Sequence, residues 1–422
     1  MWDVSSMFTG SAYGSVYDAC TLAPPEMKTA MLDIVRNSHK MEVRFKVADS
    51  NGGFMTFCDA GWRTPTWSVV SGDVKESLDD EVTRTLSAEV VADYWTGTSD
   101  ILKDLSPYKT MIRVERGVYT PRGIVYIPLG VYRLFDVSVQ SGQRATIAAY
   151  SQEADLRDFR YIVPPGVTAS AMTFQTLLST TGLVFGDLAP VAPALNWVGT
   201  AMNGASGKLK ILPTETTLTT ARNRLELADR LIQSLGGDLF FSRTGYLTAR
   251  TKPAFTDTVQ LRVNAARATA STTSPAILVS FDKKYTRNSV YNGVVAIASD
   301  TAGTVSYYGT AYDSAITSPT RWAGPFGRKP RFYSSPFLTS NAECTSAAQR
   351  LLAESNRLKS SLDFSFVPNP MVEVGDLVEL EYPDGSVEKH IVRTLSIPLT
   401  AGGSMTSGTA ADSDTQAEMS VM

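Results

Sequence analysis

The stretch Gly130-Val-Tyr-Arg-Leu-Phe-Asp-Val-Ser-Val139 runs into Ser141-Gly142 and then into Arg144-Ala-Thr-Ile-Ala-Ala-Tyr150. Side chains alternate across a strand, so these two β-rich runs joined by a Ser-Gly signal read as an antiparallel hairpin. Gly130 is expected to serve as a structural turn ahead of it. Working outward, Met111-Ile-Arg-Val-Glu-Arg-Gly117 precedes the hairpin. Arg84-Thr-Leu-Ser-Ala-Glu-Val90 sets Leu86, Ala88 and Val90 on one face, and Glu42-Val-Arg-Phe-Lys-Val47 does the same with Val43, Phe45 and Val47. Several short strands separated by turn signals predict an antiparallel barrel or sandwich over residues 41–163.

The flanks differ. Residues 1–40 read as an irregular arm followed by a helix from Pro24-Pro25 to Ser38, with Met27, Met31, Ile34 and Val35 as its apolar stripe. Residues 164–275 carry helical spacing. Ser170 caps a short helix, and Thr219 or Thr220 caps a stronger one with Leu225, Ala228, Leu231 and Ile232 on one side, ended by Gly236-Gly237. Asp238 to Arg250 is a hairpin turning at Thr244-Gly245, so this region is a small α/β module. Strands return over 276–300 and 361–399, with Gly375 and Asp376 expected at a tight turn and Asp384-Gly385 closing a hairpin. Within residues 301–360, Ser340 and Glu343 form a capping box that opens a helix with Cys344, Ala347, Ala348 and Leu351 on its stripe. Residues 400–422 are low in complexity and rich in Gly, Ser, Thr and Ala. Alone they should be disordered.

Ile316 to Leu338 resists both periods. Pro319, Pro325, Pro330 and Pro336 alternate with Trp322, Phe326, Phe332, Tyr333 and Phe337, and Arg321, Arg328, Lys329 and Arg331 lie between them. Proline excludes a helix or an interior strand. So many aromatics are too apolar for a solvated loop. They are covered either by another subunit, which makes these five residues candidates for a subunit interface, or by their own domain.

Composition excludes several kinds of chemistry. Net charge is −3, without the basic excess of a duplex-binding surface. No apolar run approaches the ~20 residues of a spanning helix, so membrane insertion is not expected, and the N-terminus lacks a signal-peptide pattern. Cys20, Cys58 and Cys344 are odd in number and far apart, which suggests buried free thiols. His39 and His390 are the only histidines, and neither has a Cys or His at ligand spacing, so each reads as a surface or cap residue. Gly204 to Lys208 resembles a phosphate loop but fails at Met202 and Leu209. Asp412 and Asp414 lack the rest of a calcium loop. Asp79-Asp80 reads as loop charge. No catalytic residue, metal site or cofactor site is assigned.

The order of these regions, ending in Val367-Pro-Asn-Pro-Met-Val-Glu-Val-Gly-Asp-Leu-Val378, resembles the tail-hub proteins of tailed bacteriophages. The minor tail proteins of long-tailed actinobacterial phages are the nearest match. Ile127-Pro-Leu-Gly-Val-Tyr132, Arg84-Thr-Leu-Ser87, and Ser318-Pro-Thr with Phe332-Tyr-Ser-Ser-Pro336 carry the likeness, which spans roughly residues 25–400. The resemblance implies a strand-rich α+β fold, with two antiparallel β-barrel-like hub domains and an inserted α/β module. It implies a homotrimer at the tail tip of the virion, made in the host bacterial cytoplasm and without enzymatic activity. Two barrels per chain would match a sixfold tube above and threefold components below. The implied partners are the distal tail or tail-tube protein, the tape-measure protein and tail-tip fibre or spike proteins. Genomic DNA would pass through without specific binding, along a neutral or acidic lumen. Two other readings are a receptor- or cell-wall-carbohydrate-binding tip protein and a tail-associated wall hydrolase.

Overall fold

In the computed structural model the described residues are 34–35, 39–50, 53–92, 105–121, 123–140, 144–159, 195–198, 223–234, 236–265, 277–285, 290–299, 305–335, 338–356 and 360–411. The protein is strand-rich α+β. Its first six strands are β1 (Met41–Asp49), β2 (Trp67–Ser77), β3 (Arg84–Ala92), β4 (Thr110–Thr120), β5 (Gly123–Gln140) and β6 (Arg144–Ser151). They pair antiparallel in the order β1-β4-β5-β6-β3-β2. All the strands read from the alternation are present. The barrel-like half they form is followed by a short helix, α1 (Glu153–Asp158).

The middle module has β7 (Leu195–Val198), α2 (Arg224–Ser234) and the hairpin β8 (Gly237–Phe241) and β9 (Leu247–Thr251). Asn223 caps α2, its Oδ1 accepting the Glu226 N–H at 2.7 Å. The cap therefore lies closer to the apolar stripe than Thr219 or Thr220. Those residues, and the helix expected at Ser170, are outside the described residues. The hairpin turns as expected at Gly245, which has φ +85.

The second half contains β10 (Val259–Asn264), β11 (Leu278–Tyr285), β15 (Ser360–Phe366), β16 (Leu377–Glu381), β17 (Val387–Pro398) and β18 (Met405–Ala411). Between β11 and β15 the chain makes β12 (Gly293–Ser299), β13 (Val305–Tyr312), β14 (Pro330–Ser334) and the helix α3 (Asn341–Asn356). Ser340 caps α3, its Oγ accepting the Glu343 N–H at 3.2 Å, and the Glu343 carboxylate reaches back to the Thr339 N–H at 2.8 Å.

Three boundaries differ from the sequence reading. Residues 276–300 divide between two sheets: β11 joins the large one, while β12 joins β13 and β14 in a separate three-stranded sheet with order β13-β12-β14. Alternation identifies a strand but not its neighbour. β10, from the stretch assigned to the module, pairs parallel with β16. The tail after residue 400 is ordered through β18, which lies between β17 and β15. There the sheet supplies backbone partners on both edges, and Met405, Ser407 and Thr409 point inward. Residues 412–422 and most of residues 1–40 lie outside the described residues. Of the N-terminal helix, Val35 is buried against Val118, Val125 and Ile127.

The two halves are hydrogen-bonded together. β17 pairs with β2 from Thr394 opposite Ser77 to Pro398 opposite Asp73, giving one curled twelve-stranded sheet. Its core is continuous, running from Phe45, Leu86 and Ile147 in the first half to Leu362, Val392 and Met405 in the second.

Gly130 is not at a turn but inside β5. Val114 faces Gly130 and Glu115 faces Pro128, so Leu129 is the extra residue of a β-bulge. Pro128 is tolerated because β5 pairs with β6 only from Tyr132 onward. Cys58 is disulfide-bonded, against the expectation of free thiols, while Cys344 is a buried free thiol. An odd count leaves room for one pair, and sequence spacing does not report distance in space. His390 is fully buried in β17 rather than at the surface: its Nε2 lies 3.3 Å from Glu388 Oε2 and its Nδ1 3.2 Å from Thr409 Oγ1.

Candidate assembly interface

A chain built of several modules must hold them together, and must cover or expose the apolar surface that remains. The first task falls to Glu76 on β2. Its Oε1 accepts from Arg84 Nε at 3.1 Å and from Arg243 Nε at 2.7 Å, and all three side chains are out of solvent. Arg243 sits in the β8–β9 turn, and its other nitrogens donate to the carbonyls of Pro370 at 2.5 Å and Val372 at 2.7 Å. Glu373 lies 3.6 Å from Arg243 Nε. Arg84 also donates to the Phe241 carbonyl. Burial pushes the Glu76 carboxyl up, but Arg243 and Arg84 outweigh it and hold the group below the usual range. Glu153 of α1 accepts the Phe241 N–H at 2.7 Å and the Thr83 hydroxyl. Gln152 bridges the backbones of Met55 and Gly245. Two barrel strands, the module hairpin and the loop before β16 thus meet at one buried polar junction. Removing one member leaves charge buried without compensation.

Gly375 lies in a turn beside this junction, and Asp376 follows it. The Gly375 N–H donates to the Val392 carbonyl at 2.7 Å, and the Val392 N–H donates to the Asp376 carbonyl at 3.0 Å. Gly375 has φ +92, and a Cβ there would come within 2.4 Å of the Arg250 guanidinium. Asp376 Oδ2 accepts the Glu373 N–H at 2.9 Å. Burial, together with the Glu373 charge, pushes the Asp376 carboxyl up to about 7. Among the described residues no group of three or more metal-ligating side chains is found, and no helix is long and apolar enough to cross a membrane.

The second task brings the aromatic strap forward. The three-stranded sheet has two unlike faces. Val294, Ala296 and Ala298 of β12 pack against Cys344, Ala347, Ala348 and Leu351 of α3. Gly309 permits this approach, since a Cβ there would lie 2.2 Å from the Thr345 nitrogen. Registers of Val295 with Thr310, Ile297 with Tyr308 and Val295 with Phe332 place the alternate residues on the opposite face. That face carries no covering element among the described residues. Phe332 is 70 % exposed, Tyr308 64 % and Tyr312 55 %.

The strap's backbone is anchored on its own domain. Buried Asn292 donates to the carbonyls of Thr320 at 3.0 Å and Gly327 at 2.6 Å and accepts the Lys329 N–H at 2.8 Å. Asp313 accepts the hydroxyls of Ser318 and Thr320. Trp322 lies over Gly293, where a Cβ would meet its ring at 2.5 Å, and 6.0 Å from the Tyr312 ring. Of the five aromatics grouped from sequence, Trp322 and Phe332 belong to the open face, and Tyr333 turns inward against α3. Phe326 is half-buried, and Phe337 is outside the described residues. Tyr308 and Tyr312, which complete the open face, were missed, although their alternation with Gly309 and Ala311 was a period-two signal. The junction was missed because Arg243 and Glu373 lie far along the chain from Glu76 and Arg84, which face each other across β2 and β3.

No protein-family model and no curated protein matches this sequence. Solved structures do match. A tail protein from Neisseria meningitidis MC58 has a TM-score of 0.55 at 11% identity, over 89% of this chain and 98% of that chain. The 43 kDa tail protein of prophage MuSo2 from Shewanella oneidensis has a TM-score of 0.53 at 11% identity, over 88% of this chain and 99% of that chain. A chain of the Francisella PdpA-VgrG complex has a TM-score of 0.51 at 10% identity, over 89% of this chain and 53% of that chain. At these identities the likeness is one of fold, and the fold of this chain is one seen in bacteriophage tail proteins.

Proposed function

We propose that this chain is a structural tail-hub protein of a tailed bacteriophage. The observation that carries the reading is the pair of barrel-like halves in one strand-rich chain, in a fold that matches tail proteins along nearly their whole length. Three copies in a ring present six barrel-like halves, which adapts a sixfold tail tube to threefold tip components. The reading places the protein at the virion tail tip, in contact with the distal tail or tube protein, the tape-measure protein and the fibres or spikes. It surrounds the channel for genomic DNA, which a net charge of −3 leaves free to slide. It has no enzymatic role. The motifs shared with minor tail proteins support an origin in a phage of actinobacteria, and synthesis in the host cytoplasm follows. Phe332, with half-buried Trp322 beside it, is assigned to a contact with another chain, because a large apolar group left in water is a cost that a partner removes. Native mass measurement of the purified protein, with copy counting in assembled tails, tests this. Three copies are expected, and six copies or a copy number unrelated to three would refute it.

The open aromatic face favours one second reading, attachment to cell-wall carbohydrate, since aromatic faces stack on sugars. Retention of the protein on host wall in a pull-down, without a threefold assembly, would support it over the hub.

A further inference from the structure

We propose that the open aromatic face, with its flanking arginines, docks into an acidic cleft behind α3 of a second copy of this chain. The inference rests on the hub reading and names both surfaces of its subunit contact. The donor surface is basic as well as apolar. From Ser314 to Ala342 the sequence has Arg321, Arg328, Lys329 and Arg331 and no carboxylate. Arg321 and Arg328 make no ion pair among the described residues, and the Arg328 guanidinium sits 5.8 Å from the Trp322 ring centre.

The acceptor is a cleft of ≈ 640 Å³ between the β2–β3 turn, α2, β8 and the outer side of α3. Asp79, Asp80, Glu81, Glu226, Asp229 and Asp238 line it and outnumber the cations there. Asp79 is paired with Arg393. Asp80, Glu81 and Asp238 have no ion pair among the described residues. Burial and the neighbouring charges of Asp238 and Glu81 push the Asp229 carboxyl up to about 6, against the opposing charge of Lys252.

The geometry favours contact between chains. Cys344, Ala348 and Leu351 of α3 face the sheet, while Arg350 and Ala353 face the cleft. The open face lies on the far side of that sheet. A helix layer and a sheet layer therefore separate the two surfaces of one chain. A patch that meets a different patch on its neighbour makes a head-to-tail contact, which closes into a ring when the rotation allows. The aromatic centre supplies buried apolar area, and the charged rim sets orientation and speed of encounter.

Reciprocal charge reversal in the full-length chain, read by sedimentation velocity, tests the proposal. Asp80→Lys with Glu81→Lys, and separately Arg321→Glu with Arg328→Glu, should each weaken trimer formation by about tenfold or more through like-charge contact. All four substitutions in one chain should restore it. Phe332→Ser with Tyr308→Ser should weaken it without rescue. Circular dichroism on each variant verifies the fold. A trimer indifferent to both reversals overturns this docking and leaves the hub reading standing, as does failure of the fourfold variant to recover. A wild-type chain that stays monomeric up to about 100 μM, or whose open face instead retains an acidic glycan, also overturns the docking. The hub reading is then decided separately by copy number in the assembled tail.

Discussion

Gly130 carries a hydrogen where another residue would carry a carbon, and the Tyr132 ring occupies that place. A Cβ at 130 would fall 2.4 Å from the ring, at φ +153. Gly130→Ala should therefore destabilise the chain by about 1–3 kcal/mol, from strain and displacement of Tyr132, seen as a lower denaturation midpoint with unchanged slope. Two carboxyls give opposite pH signatures. Asp376, pushed up to about 7, keeps a proton in the folded chain that the unfolded chain releases near pH ~4. Between those values the folded state binds more protons, so this group's contribution falls as pH rises. Asp376→Asn should remove that decline, and urea titrations of both proteins at the two ends of the window measure it. Glu388 behaves conversely. Burial pushes it up, but hydrogen bonds from His390, Lys283 and Tyr382 win and bring it to about 2. Its contribution is present above the ordinary carboxylate value and is lost as pH falls toward about 2. Glu388→Gln should flatten the acid limb of the stability profile, and an unchanged limb would refute the assignment.

At the level of elements, composition misleads most at β18. Six of its seven residues are small, only Met405 being large and apolar, yet β17 and β15 both need its backbone. Ending the chain at Gly403 should expose two strand edges and empty the Met405 site. Hydrogen exchange should then accelerate in β15 and β17 while β4 and β5 stay protected. The module hairpin is held differently, by side chains at its turn. Arg243→Ala leaves Arg84 alone to offset two buried carboxylates, Glu76 and Glu373, and should cost about 3–5 kcal/mol, measured by chemical denaturation. A loss below about 1 kcal/mol, the range of an exposed pair, would mean the junction is solvated. Local signals fixed the elements themselves well. The period-two runs of β1, β3, β4, β5 and β6, the Gly245 turn and the Ser340 cap of α3 all follow from nearest-neighbour chemistry. The bulge at Leu129 and the cap at Asn223 do not, because each depends on which residue the neighbouring strand or helix turn brings opposite.

For the whole molecule, the prediction that matters is assembly. An open face with Phe332, Tyr308 and Tyr312 largely in solvent, on a chain whose halves are joined into one sheet, should leave the purified protein self-associating in a concentration-dependent way. Light scattering over a dilution series checks it, and a mass independent of concentration at one subunit would refute it. The sequence alone determined the strand-rich class, the helix-plus-hairpin module, the strap's exclusion from helix and interior strand, and the resemblance to tail hubs. These rest on periodicity, proline chemistry and motif order, which are local along the chain. Only the tertiary structure decided that β17 pairs with β2 to fuse the halves, that β12 leaves the large sheet for a smaller one, and that Tyr333 turns inward while Phe332 faces water. It also decided that Arg243 and Glu373 join Glu76 and Arg84 at one buried junction. Those choices are made by backbone groups and charges that must find partners once water is excluded, and partners hundreds of residues apart leave no mark on the local pattern.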